Sequence, residues 1–183
     1  MLLRVASCAL AVADPSVALH ELRLARISLL ADAAGAAVRP SPGKGLGAFA
    51  TRSISRHSRM GDYTGEVLTQ RQLDARYGSQ DGCTAEEEAW AVRRRRLGIG
   101  LTGDYVFRVG EDRHGNVVFI DAEDETAGGS WTRYLNHDSA APNLEARAIP
   151  VSMDGEPRVW FFANRAIEVD EELCYDYGSD YVW

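Results

Sequence analysis

Arg133-Tyr134-Leu135-Asn136-His137, with Pro142-Asn143-Leu144 close behind, and Glu172-Leu173-Cys174-Tyr175-Asp176-Tyr177-Gly178 near the end are the most informative segments of this chain. An adjacent Asn-His pair offers an amide and an imidazole together, and it lacks the HxxxH spacing of a metal-binding helix. Read alone, such a pair is more often structural than functional. In a strand, Tyr175 and Tyr177 share a face. They make either an aromatic wall with two hydroxyls or a core pair with both hydroxyls bonded.

Further motifs lie upstream. Gly43-Lys44-Gly45-Leu46-Gly47 alternates glycine, which frees the backbone to take positive φ and to approach a ligand closely. It is neither a Walker loop nor a dinucleotide fingerprint, because no Lys-Ser/Thr, preceding strand or following helix accompanies it. Read alone, a glycine-rich turn before a strand accounts for it better. Asp62-Tyr63-Thr64-Gly65-Glu66-Val67 places a tyrosine and an acid around a glycine in a strand-like run, and Ile120-Asp121-Ala122 closes another apolar run.

Between these motifs the chain reads as short strands. Leu46–Ala50, Val106–Val109, Val117–Ile120 and Val159–Ala163 are rich in β-branched and aromatic residues, with turns such as Asp112–Asn116 and Asp154-Gly155 between them. Gln70–Tyr77 suits a short helix. In Thr84–Arg96, Glu86–Glu88 precede Arg93–Arg96, which suits a helix dipole and predicts a surface helix. The same arginine run also fits an import signal or a phosphate-binding patch. The first 40 residues differ in being Ala- and Leu-rich. From Ser16 to Ala34 they predict a helix with Asp14 as N-cap, Pro15 as first residue and Gly35 as stop. The apolar stretch before it is short for a secretory signal; a secretory signal and an organelle-targeting arm are the alternatives to an ordinary N-terminal segment, which fits better.

The 183 residues carry 45% apolar and 26% charged side chains, a globular composition. No apolar run approaches the roughly 18 to 20 residues that cross a bilayer. Cys8, Cys83 and Cys174 are odd in number and widely spaced, which argues against a disulfide framework and a cysteine zinc site. The net charge of −7 is divided unevenly: residues 1–100 carry +4 and residues 101–183 carry −11. Such an acidic half repels nucleic acid and attracts basic partners, though excess acid also serves solubility. Lys44 is the only lysine.

Taken in order, the five motifs closely resemble the SET-domain protein lysine methyltransferases. The resemblance runs from Gly43 to Trp183, and its glycine-rich start and Tyr-Asp-Tyr-Gly end look most like compact histone-lysine monomethyltransferases. It implies a mainly β SET fold with short helices: small curved sheets around a knot-like C-terminal crossing, spanning residues 41–183. Residues 1–40 would form a helical N-terminal arm. The implied cofactor is S-adenosyl-L-methionine, touched by the backbone of Gly45, Leu46 and Gly47. Arg133, Asn136 and His137 would hold its amino-acid and adenine parts, and Tyr105 would lie nearby. Tyr63, Tyr175 and Tyr177 would line the lysine channel, with Tyr177 catalytic and Tyr175 limiting the methyl count, so that monomethylation is favoured.

The implied partner is a lysine-containing basic peptide such as a histone tail, without direct nucleic-acid or membrane binding, and the implied location is the nucleus, with an organelle or the cytoplasm as alternatives. No metal is implied, because the cysteine-rich flanks of many SET domains are absent; Tyr181-Val182-Trp183 would close the channel instead. The chain departs from the family's Asn-His-Ser-Cys-x-Pro-Asn in lacking the Cys and in one extra residue between Asn136 and Asn143. A lysine on a non-histone protein is one alternative substrate. An inactive SET-like peptide-binding module is another reading, against which the retained Tyr177, Asn136 and His137 argue.

Overall fold

The computed structural model describes residues 15–78, 84–124 and 130–178. Their order is α1 (Pro15–Ala34), β1 (Ala36–Ser41), β2 (Gly45–Ala50), β3 (Arg59–Asp62), β4 (Glu66–Thr69), α2 (Gln70–Tyr77) and α3 (Ala85–Arg96). β5 (Val106–Glu111), β6 (Val117–Asp121), a 3₁₀ turn (Trp131–Tyr134), β7 (Asn136–His137), β8 (Leu144–Ile149), β9 (Arg158–Ala163) and β10 (Cys174–Tyr175) follow.

The helices end where the sequence says they should. Gly35 takes a left-handed φ of 79°, which stops α1. Ile27 and Ala31, one turn apart, are the buried stripe of that helix, while Leu22 and Leu29 stay exposed. The stretch expected as an arm therefore contributes core residues through α1, and β1 runs across residue 40 to pair with β2. Thr69 and Thr84 cap α2 and α3, each in a reciprocal capping box with Gln72 and Glu87.

Ten short strands form four small sheets among the described residues: β1-β2, β3-β9-β8, β4-β6-β5 and the parallel pair β10-β7. The core between them is built on Phe161, Leu135, Leu144, Ile167 and Leu173, with Trp131 and Met60. Two details position the site. The tight β1–β2 turn needs left-handed backbone at Gly43 (φ 76°) and Gly45 (φ 78°), with the Lys44 N–H donating to Ser41 O at 3.1 Å. The parallel pairing sets Cys174 beside Asn136 and Tyr175 beside His137, joining the two segments that are most informative in the sequence.

Two expectations are refined. The run around Tyr63 is not one strand: β3 ends at Asp62, β4 begins at Glu66, and Tyr63–Gly65 bridges two different sheets. At Gly65 a Cβ would strike the backbone carbonyl of Asp121, so only glycine fits this crossing. The α3 surface helix also sends one residue of its arginine run inward. Arg94 is 3% exposed and ion-pairs with Asp121 at 2.9 Å. Residues 1–14, Cys83 and Tyr181-Val182-Trp183, about which the sequence raised expectations, lie outside the described residues.

Candidate active site

The β1–β2 turn, the 3₁₀ turn with β7, the start of β5 and the β10 end surround a cavity of about 430 Å³, within the size range of small-molecule sites. Its wall has a polar end, formed by Gly43, Lys44, Gly45, Leu46, Asn136 and His137, and an aromatic end, formed by Tyr63, Phe107, Tyr175 and Tyr177.

At the aromatic end the rings pack tightly. Tyr175 is buried, with ring centroids 4.6 Å from Tyr177, 4.9 Å from Phe161 and 6.1 Å from Phe107. Tyr63 is buried too, 5.5 Å from Phe107. Two hydroxyls are anchored on backbone carbonyls. Tyr63 Oη donates to Tyr105 O at 2.7 Å, and Tyr177 Oη donates to Leu135 O at 2.5 Å. Each phenol thereby spends its proton on the protein and keeps its lone pairs as acceptors. Burial, with the Tyr177 phenol next to it, holds the Tyr63 hydroxyl well above the usual tyrosine range, so it stays protonated.

The polar end is tied to both chain segments. His137 Nδ1 accepts the backbone N–H of Tyr177 at 3.1 Å, which requires a ring carrying its proton on Nε2. Asn136 Nδ2 donates to Leu46 O at 3.1 Å and to Glu172 Oε1 at 2.7 Å. Lys44 Nζ donates to His137 O at 3.1 Å and lies 4.0 Å from Glu172 Oε2. Asn143 completes the junction, donating from Nδ2 to Glu172 O and accepting the Cys174 N–H at Oδ1. Its burial within this junction pushes the Cys174 thiol up to about 11, an inert thiol at neutral pH.

Arg133 and Tyr105 form a third element. The guanidinium stacks 3.6 Å from the Tyr105 ring centroid, and its Nη1 donates to Glu123 O at 3.1 Å. Burial raises the Glu123 carboxyl above its ordinary range, an effect that Arg133 partly offsets.

Of the residues the sequence singles out, Tyr63, Tyr105, Arg133, Asn136, His137, Tyr175, Tyr177, Gly45 and Leu46 all border this one cavity. Gly47 does not. It lies behind the wall, where a Cβ would sit 2.9 Å from Asn136 Nδ2 and would collide with the Glu172 carboxylate. The sequence reading missed Lys44, Phe107 and Glu172 as parts of the site. Lys44 sits inside the glycine motif and Glu172 immediately before Leu173, so both were next to recognised signals; Phe107 had only its apolar run to mark it. No group of His, Cys, Asp and Glu suited to a metal ion occurs among the described residues.

Residues 45–178 match the SET domain family, and the chain belongs to that family. It is 34% identical over 137 residues to the Emericella nidulans histone-lysine N-methyltransferase, H3 lysine-4 specific, covering 75% of this chain and 9% of that protein. It is 36% identical over 132 residues to the Schizosaccharomyces pombe protein of the same name, covering 72% of this chain and 11% of the other. The chain thus spans only about a tenth of the length of these relatives. A crystal structure of CpSET8 from Cryptosporidium superposes with a TM-score of 0.55 at 22% identity, over 80% of this chain and 58% of the other, so the fold is that of a SET domain.

Proposed function

We propose that this chain is a protein-lysine N-methyltransferase that uses S-adenosyl-L-methionine and adds mainly one methyl group to a lysine in a basic segment such as a histone tail. The observation that carries the reading is the aromatic end of the cavity, where phenol protons are spent on carbonyls and oxygen lone pairs remain beside stacked rings. The names of the matched relatives support the same reaction class.

The cavity fits the cofactor. Its volume suits a nucleoside-sized ligand, and the Gly43–Gly45 turn leaves open space where side chains would otherwise intrude. Lys44, Asn136 and His137 supply donors and acceptors for an amino-acid end, and Arg133 with Tyr105 offers a flat cationic and aromatic surface. When bound, the cofactor supplies an electrophilic methyl group on a sulfonium. Tyr63, Tyr175, Tyr177 and Phe107 do the rest by exclusion and orientation. Their rings hold an incoming lysine ammonium by cation–π attraction, yet exclude the water that keeps it charged, which favours the neutral amine needed for attack. The Tyr177 oxygen, held by Leu135 O, presents lone pairs where positive charge develops, and positioning supplies most of the acceleration. In Tyr175 a hydroxyl anchors water in the space a second methyl would need.

In this reading the catalytic domain spans residues 41–183, with α1 and β1 of the preceding stretch packed onto it, and the acidic half draws in the basic peptide. The nucleus is the matching compartment. The test is transfer of isotopically labelled methyl groups from S-adenosylmethionine to purified core histones, read by mass spectrometry. Monomethyl-lysine on a histone tail is the expected product. Labelling of some other protein would redirect the substrate, and binding of cofactor without any transfer would leave a peptide-binding module.

A further inference from the structure

Tyr63 is held at both ends by one dipeptide, Asp121-Ala122, that lies outside the cavity. Its hydroxyl donates to Tyr105 O at 2.7 Å, and the Ala122 N–H takes the other lone pair of that carbonyl at 2.9 Å. Two residues after Tyr63, Gly65 packs so closely on the Asp121 carbonyl that a Cβ would sit 2.1 Å from its oxygen. Asp121 is the last residue of β6, with Glu66 of β4 on one side and Val106 of β5 on the other. It is fully buried and engages both carboxylate oxygens. Oδ1 accepts the Glu123 N–H at 2.8 Å, a turn that fixes the peptides on either side of Ala122. Oδ2 accepts Tyr77 Oη at 2.7 Å and Arg94 Nη2 at 2.9 Å, from α2 and α3. Arg94 Nη1 also donates to Tyr77 Oη at 3.0 Å, so the two donors brace each other. Asp121, Tyr77 and Arg94 are not among the residues that border the cavity, whereas Tyr63 and Tyr105 are.

We infer that Asp121 is a positioning residue for Tyr63: through Ala122 and the Tyr105 carbonyl it sets where the Tyr63 phenol stands in the aromatic end, and it takes its own orientation from Tyr77 and Arg94. The docking of α2 and α3 is thereby read out in the wall of the cavity. Loss of the Tyr77 hydroxyl frees one side of Oδ2, lets the carboxylate turn, and loosens the Ala122 N–H against Tyr105 O. The Tyr63 hydroxyl then loses its fixed acceptor. Tyr177, whose hydroxyl is anchored on Leu135 O, is not on this path. The effect on rate rests on the methyl-transfer reading above; the coupling itself does not. Asp121 touches no substrate in this account; it acts through Tyr63.

The experiment follows the full chain, isotopically labelled at the tyrosine ζ carbons, by NMR, with Tyr63→Phe and Tyr177→Phe assigning the two resonances. Without any ligand, Tyr77→Phe should move the Tyr63 resonance and leave that of Tyr177 in place. In single-turnover methyl transfer to a histone peptide, Tyr77→Phe should slow the rate roughly three- to tenfold, the scale of one hydrogen bond. Added to Tyr63→Phe, the same change should slow it by less than about twofold, because the hydroxyl that carries the effect is already gone. Equal slowing in both backgrounds, a stationary Tyr63 resonance, or movement of both resonances together, as a general loosening of the fold would give, overturns this inference alone. A Tyr63 resonance that moves by itself, in a chain whose wild type transfers no methyl group to any histone, supports the coupling and overturns the methyl-transfer reading.

Discussion

The chain contains two polar clusters made from similar side chains, one closed and one open. In the closed cluster, Asp121 is fully buried and accepts Tyr77 Oη at 2.7 Å and Arg94 Nη2 at 2.9 Å on one oxygen and the Glu123 N–H at 2.8 Å on the other. Arg94 and Arg76 each lie 4.3 Å from the Trp90 ring, so α2 and α3 are joined to each other, and Tyr77 and Arg94 fasten them to Asp121 at the end of β6. In the open cluster, Asn136, Glu172 and Lys44 bond to one another and to backbone beside the cavity, and no hydrogen bond to Asn136 Oδ1 occurs among the described residues. A cluster whose capacity is spent inside the protein holds the fold; one that keeps an acceptor back is prepared for a ligand.

The closed cluster also bears on the site. Beyond Asp121, the Ala122 N–H donates to Tyr105 O at 2.9 Å, the carbonyl that holds Tyr63 Oη, and Glu123 O receives Arg133. The side chain of Asp121 therefore grips α2 and α3 while the backbone after it grips the cavity wall.

Substitutions should separate the two clusters. Arg94→Met leaves a buried, unpaired Asp121 and should cost about 3–5 kcal/mol of stability. Urea unfolding measures this, and a loss below about 1 kcal/mol would show that the cluster is not closed. Asn136→Ala should leave the melting temperature nearly unchanged and weaken S-adenosylmethionine binding roughly tenfold or more, since one cofactor bond is lost with its partner stranded; unchanged affinity in calorimetry would remove Asn136 from the site.

Smaller effects probe each side further. Burial and the bond to Asp121 raise the Tyr77 phenol far above its ordinary value. A group raised in the folded state stabilises fully below its unfolded pKa, so this contribution holds up to about pH 10 and is lost progressively above it. Tyr77→Phe should flatten the decline of stability above about pH 10, and an identical decline in both proteins would contradict the assignment. Tyr175→Phe, which keeps ring volume, should preserve turnover and move the product toward dimethyl-lysine. Product distributions at long reaction times check this, and a wild-type chain that already runs to trimethyl-lysine would refute it.

Much of the site was legible because its signals are local. The tyrosines, the Asn-His pair and the glycine turn announce themselves within a few residues, and Gly35 marked the end of α1. What was not legible depends on contacts between distant segments. Glu172 is an ordinary acid in an acidic stretch until the β7–β10 pairing brings it to Asn136, 36 positions away. Arg94 is one of four like neighbours, and only the docking of α3 selects it for burial. At Gly47 the sequence does not reveal that a Cβ would collide with the Glu172 carboxylate and crowd Asn136. Tyr63 looked like a strand residue because the sequence does not reveal that the chain changes sheets there.

The central claim is that the aromatic end performs methyl transfer through an oxygen held on a backbone carbonyl. Tyr177→Phe tests it most directly, because it removes that oxygen and keeps the ring. Single-turnover rates with a lysine-containing histone peptide should fall by roughly a hundredfold or more, the scale of one lost transition-state contact. Cofactor affinity and melting temperature should stay close to wild type. A variant that transfers methyl groups at near-normal rate would contradict the account and assign the chemistry to another group.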